Sequence, residues 1–205
     1  MITQRVHAIS LATWVVMALC VAAAACAPRA ARISLHDPRL PLDARRWLAD
    51  AEDEVAIAAV GLDEAQIGMD EAREFRRYAE SLRWPGGGSN ASQRLDRMVE
   101  ERLSLARLEI DLANQRIALA RANLVKARAE TAVRHDIADY NLEPITAASD
   151  EARARLDQLA QEVEHQRAAL DEATSQFWEA YGAFARSNNG NNVLWTWEEE
   201  HVIHH

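Results

Sequence analysis

Three stretches of this chain set an apolar residue at alternating steps of three and four, and no other feature of the sequence restricts the fold so tightly. The first reads Leu48, Ala51, Val55, Ala58, Leu62, Ala65, Met69, Ala72. The second reads Val99, Leu103, Ala106, Ile110, Ala113, Ile117, Ala120, Leu124, Ala127. The third reads Leu156, Leu159, Val163, Gln166, Leu170, Ala173, Phe177, Ala180, Phe184, and Gln166 is the only polar interruption. Such spacing lays one apolar stripe along an α-helix, and holding it at seven residues per two turns makes the stripe a coiled-coil seam. A strict seven-residue repeat also implies left-handed supercoiling, because a straight α-helix would carry the stripe around its own surface.

Large residues and alanine alternate along each seam. Hydrophobic residues make up 49% of the chain but aromatics only 6%, so much of the apolar content is alanine, the best helix former and a poor filler of volume. A small side chain at every second seam position lets two helix axes approach more closely than leucine would. Helices that share the pattern are therefore expected to pack on one another. The first helix also contains the adjacent heptads GLDEAQI and GMDEARE, which set Gly61 and Gly68 beside the seam. Each glycine costs about 1 kcal/mol relative to alanine in a helix interior, a cost that close backbone contact would offset, against the alternative of compositional drift. In the second helix another apolar row, Leu105, Leu112 and Leu119, suits a central helix touching both neighbours, or a contact between protomers.

The breaks between the stripes place the element boundaries. Asp43 is a good N-cap, and Trp84-Pro85-Gly86-Gly87-Gly88 is a stop that no helix should cross. Asn90 followed three residues later by Gln93 reads as a capping box. Pro144 in NLEPITAAS breaks the next period, and Ser149, Asp150 and Glu151 suit a new helix N-terminus. The expected fold is all-α: an elongated antiparallel three-helix coiled-coil bundle over 43–188, with helices at 43–83, 92–140 and 149–187 and a short irregular tail at 189–205. Matching positions across the first connection brings Arg76 near Glu100 and Glu101. Matching across the second brings Gln166 near Asn123. Polar pairs of this kind set register in a coiled coil.

Residues 1–25 read as an export signal, with Arg5 in a short n-region and an apolar run from Ala8 to Val21 that is too short for a comfortable membrane span. Ala22 to Ala25 then lead into Cys26. The Ala-Ala-Ala-Cys pattern resembles the lipobox of bacterial lipoproteins. That resemblance implies cleavage before Cys26 and diacylation of its thiol, and leaves the new amino terminus open to acylation. The other readings are ordinary secretory cleavage and an uncleaved anchor. Cys20 would be discarded with the signal, leaving Cys26 as the only mature thiol. Two or three acyl chains anchor stably where one is marginal. The next residue is Ala27 rather than the Asp associated with inner-membrane retention, which points to the outer membrane. Residues 26–42 carry three prolines and no period, and read as the lipidated cysteine followed by a tether.

The tail differs in composition from the bundle. His201, His204 and His205 stand at spacings that can bind zinc on a helix, against the alternative of a frayed chain end. Trp195 and Trp197 would share one side of an extended strand, suited to docking on the bundle, to a partner or to a bilayer interface. Trp84 at the first connection is a further candidate contact.

The formal charge is −9, and removing residues 1–25 takes away Arg5 and no acid, giving −10. A surface of that sign repels nucleic acid and anionic headgroups. No nucleophile–base set, phosphate loop or Cys/His zinc spacing is present, and no cofactor is implied. The expectation is therefore a non-enzymatic, lipid-anchored protein of the bacterial envelope. Its bundle would act as a spacer, scaffold or partner-binding adaptor facing the periplasm, with an envelope protein or a second copy as partner. The segment ALARANLVKARAE of the second helix resembles the coiled-coil hairpins of periplasmic efflux adaptors and outer-membrane efflux ducts, which implies a secretion or efflux assembly as the alternative. A metal- or small-ligand-binding lipoprotein is the third reading.

Overall fold

The computed structural model describes residues 33–82, 84 and 90–187. Cys26, Trp195, Trp197, His201, His204 and His205 lie outside the described residues, as do the expected signal peptide and tail. The described chain is all-α, with no strand among the described residues. Its elements are α1 (Leu42–Ser81), α2 (Asn90–Arg134) and α3 (Leu142–Ser187). At 40, 45 and 46 residues they are rods of about 60–70 Å at 1.5 Å per residue.

The helices form an antiparallel three-helix bundle. Pairs across the first interface run in reverse order: Arg134 stacks its guanidinium over Trp47, Arg128 bonds Glu52, and Arg102 lies over Phe75. Across the second interface Ser149 meets Asn123, Ala152 meets Gln115 and Gln166 meets Glu101. The seam positions of all three helices are buried or half-buried.

α2 is the middle rod. It packs on both neighbours, while no α-carbon of α1 comes within 8 Å of one in α3. Leu112, from the second apolar row, is buried on it. Fourteen residues of α2 are buried against six in each outer helix. A helix covered on two sides buries more of its circumference than one covered on a single side.

The core is concentrated at the two ends of the rods. At one end Phe75, Leu95, Leu103, Ala173 and Phe177 come together from all three helices. At the other end α2 buries two separate patches. Leu48 and Ala132 belong to the patch shared with α1, and Ala129 and Ile145 to the one shared with α3. Between these ends, from Glu52 to Gly68, no residue of α1 is buried.

Three boundaries differ from the expected ones, each for a local reason. α2 ends at Arg134 rather than near Tyr140. The Asp136 N–H donates to the Val133 carbonyl at 3.3 Å and the Ile137 N–H to the Ala132 carbonyl at 2.9 Å. Asp136 has φ 53°. This is a Schellman end, which usually uses glycine at the left-handed position, so an aspartate there conceals it. α3 begins at Leu142 rather than Ser149, with the Asn141 side chain accepting from the Glu143 N–H at 3.1 Å. Pro144 then falls in the first turn, where its missing N–H has no carbonyl to bond and its fixed φ suits a helix.

The third difference lies before α1. Residues 33–41 fold back on the bundle instead of forming free tether, and Ile33 and Leu40 are buried with Leu48 and Ala132. Two turns shape the segment, and the Arg45 guanidinium donates to the carbonyls of Leu40 at 3.0 Å and Asp37 at 3.1 Å.

Candidate functional site

The polar residues expected to set register are all inside the described bundle, but their pairing follows the observed ends of α2 and α3. Gln166 donates to the Glu101 carboxylate at 2.7 Å and to the Glu101 carbonyl at 3.2 Å. It does not meet Asn123. Asn123 instead accepts from the buried Ser149 hydroxyl at 2.6 Å. The connection between α2 and α3 is centred several residues earlier than the sequence suggested, and every partner across that interface moves with it. Ser149, expected as a cap, is thus an interior contact.

Arg76 bonds the Glu80 carboxylate on its own helix at 2.7 Å. Its pKa is raised by that hydrogen bond first, then by the charge of Glu80 and, more weakly, of Glu100. Among the described residues no ion pair within 4 Å joins Arg76 to Glu100 or Glu101, and Glu101 serves Gln166 instead.

Trp84 packs edge-on to Phe184 at 5.2 Å and to Tyr181 at 6.4 Å. Phe177, Trp178 and Tyr181 continue the aromatic set along α3. Edge-to-face packing of this kind adds about 0.5–1.5 kcal/mol per pair beyond the buried area. Trp84 thus closes the far end of the bundle, and Tyr181 and the partly exposed Trp178 are aromatics of this set that the sequence did not single out.

At the opposite end Asp37 accepts two hydrogen bonds from the Arg39 guanidinium, at 3.0 and 2.8 Å, and one from the Arg39 N–H at 3.0 Å. The side-chain bond to Arg39 leads in holding the carboxyl down to about 2. An acid with a depressed folded-state pKa contributes stability above its unfolded value near 3.9, and loses that contribution as pH falls towards 2. We expect the Asp37 side-chain carbon resonance to titrate with a midpoint near 2. A midpoint near 3.9 would show that the turn is not formed in solution.

An open trough lies over α2, walled by α1 and α3. One part, of about 370 Å³, is lined by Trp47, Asp50, Glu54, Lys126, Glu130 and Arg153, among others. The next, of about 550 Å³, is lined by Ile57, Val60, Gly61, Glu64, Arg116 and Leu156, with Leu119 and Ala120 among its remaining lining residues. The two share Glu54 and Asn123, so they adjoin end to end along the trough. Gly61 and Gly68 have open space where a side chain would stand: a Cβ on either meets nothing within 4 Å. The close intrachain backbone approach expected at these glycines is not there.

Among the described residues no cluster of three or more His, Cys, Asp or Glu could hold a metal. No helix among them is long and apolar enough to cross a membrane. Comparison with protein-family models, with curated proteins and with solved structures found no match to this chain. The fold defines the class at the level of an all-α, antiparallel three-helix bundle.

Proposed function

We propose that the mature chain is a non-enzymatic, lipid-anchored protein of the bacterial envelope whose bundle serves as a periplasmic spacer and partner-binding adaptor. The observation that carries this reading is the placement of the two chain ends relative to the rods. Residues 33–41 are packed on the bundle at the α1 N-terminus. If Cys26 bears the lipid, only residues 27–32 separate it from Ile33, and six residues span at most about 20 Å. The bilayer would then lie beside that end of the bundle.

α1 runs from there to the aromatic end, about 60 Å away at 1.5 Å per residue. α3 ends beside the same aromatic cluster, with Phe184 against Trp84. The segment that follows Ser187, with Trp195, Trp197 and the histidines, is therefore joined to the end remote from the anchor. A rod with lipid at one end and a Trp/Glu/His-rich segment at the other is suited to holding that segment away from a membrane.

The test is a Cys26→Ser chain expressed in a bacterium with lipoprotein processing, followed by envelope fractionation and mass spectrometry of the N-terminal peptide. We expect the wild type in the detergent-soluble membrane fraction with an acylated Cys26, and the variant released from it. Equal membrane retention of the two would defeat the anchor and, with it, the spacer geometry.

A further inference from the structure

We propose that the trough between α1 and α3 is the docking site for a cationic amphipathic helix of a partner protein, which lies over α2 as a fourth rod. The first ground is apolar surface without cover. On α1, Ile57, Val60 and Ile67 are 71%, 57% and 60% exposed, although α1 is packed along its seam. β-branched residues of this size on one side of an otherwise acidic helix mark a face meant for burial. Ile57 and Val60 line the trough, whose floor is Leu119 and Ala120 and whose far wall includes Leu156.

The second ground is space. Trp47 lines the trough at one end, and Phe75, at a heptad-equivalent position farther along α1, is buried in the core. Gly61 and Gly68 occupy the same heptad position between them, and each leaves its side open. From Trp47 to Glu64 the trough runs about 25 Å at 1.5 Å per residue, room for four to five turns of helix. Nothing within the described chain repays the helix propensity lost at the two glycines, whereas a fourth helix packed close to them would.

Charge chooses the occupant. From Trp47 to Ala72 the chain has Asp or Glu at eight positions and no Arg or Lys. Among the described residues Asp50, Glu54 and Glu64, which edge the trough, have no cation within 4 Å. Arg116, Lys126 and Arg153, with the acid Glu130 among them, lie on its α2 and α3 side. A helix entering the trough therefore needs Arg or Lys along the edge that meets α1. A second copy presenting its own α1 face would set acid against acid, and anionic headgroups meet the same repulsion.

This proposal deepens the adaptor part of the reading above and does not depend on the lipid, so its test is run on both the wild-type and the Cys26→Ser full chains. The probes are two fluorescent three-heptad peptides with a Leu/Ala seam, one with Arg on its flanking positions and one with Glu there. We expect one-to-one binding of the Arg peptide, weakening with salt, and no binding of the Glu peptide. Gly61→Leu/Gly68→Leu puts a side chain into the trough at Gly61 and another just beyond its end at Gly68, while keeping every acid. It should weaken Arg-peptide binding by about tenfold or more and raise Tm, because leucine is the better helix former. Ile57→Gln/Val60→Gln, which changes only exposed side chains, should also weaken binding.

Undiminished binding to the glycine-filled variant would show plain charge attraction and overturn the proposal. Binding of neither peptide, or of both alike, overturns it too. So does sedimentation showing a wild-type dimer that the glycine substitutions dissolve, because the occupant would then be a second copy.

Discussion

Phe177→Ala is expected to lower stability by about 3–5 kcal/mol, the range for removing a fully buried phenyl ring from a core that relaxes only partly. Phe177 is 1% exposed and sits among Phe75, Leu95, Leu103 and Ala173. Each of the three helices therefore contributes a wall of its site. Its ring also stacks on Tyr181 at 5.8 Å and meets Trp178 at 5.0 Å. Alanine there leaves a cavity bounded by rods that cannot all close in at once, because moving α3 towards α1 would have to compress α2. Urea denaturation followed by helix ellipticity should show the midpoint displaced to lower denaturant. A loss below 1 kcal/mol would mean that the aromatic end is not packed as described.

The same end was the most legible part of the sequence. Leu95 and Met98 apart, the buried residues that meet there from α2 and α3 are seam positions whose period continues for four heptads, and a stripe of that length has few alternatives. The second row Leu105, Leu112 and Leu119 suited either a central helix or a contact between protomers, and the structure makes α2 the middle rod with Leu112 buried on it. What the periodicity did not carry was local chemistry. The end of α2 depends on Asp136 taking a left-handed conformation that favours glycine, and nothing in the pattern marks an aspartate for that role. Pro144 reads as a breaker from the sequence and is a first-turn residue in the fold. Those two features moved the connection, and with it Gln166 onto Glu101 and Asn123 onto Ser149.

The trough was not legible for a different reason. A heptad states which face is apolar but not whether that face is covered. Ile57, Val60 and Ile67 lie off the seam, where an isolated apolar residue is ordinary and draws no notice. Their exposure becomes informative only when α1 and α3 are seen to stand apart on either side of α2. The glycines were read as a close backbone approach within the chain, and the structure leaves open space beside both.

Leu48→Ala is expected to cost about 2–5 kcal/mol and to act at the other end of the rods. Leu48 is 0% exposed, in one patch with Ile33, Leu40, Ala127 and Ala132. The register that sets Trp47 against Arg134 and Glu52 against Arg128 puts Leu48 opposite Ala132, itself 0% exposed. A large residue thus faces a small one, which is how an alanine-rich seam fills its volume without pushing the axes apart. Ala132→Leu alone should therefore overpack the site, at about 1–3 kcal/mol. The exchanged pair, Leu48→Ala with Ala132→Leu, restores the total volume and should be more stable than the sum of the two losses by about 1 kcal/mol or more, as expected for contacting residues. Hydrogen exchange should show the loss from Leu48→Ala concentrated at the α1 N-terminus and the end of α2, because from Glu52 to Gly68 no buried residue of α1 relays it to the aromatic end. Strict additivity in the exchanged pair would mean that the two side chains do not share one site. Uniform loss of protection along α1 would mean that the two ends are a single cooperative core.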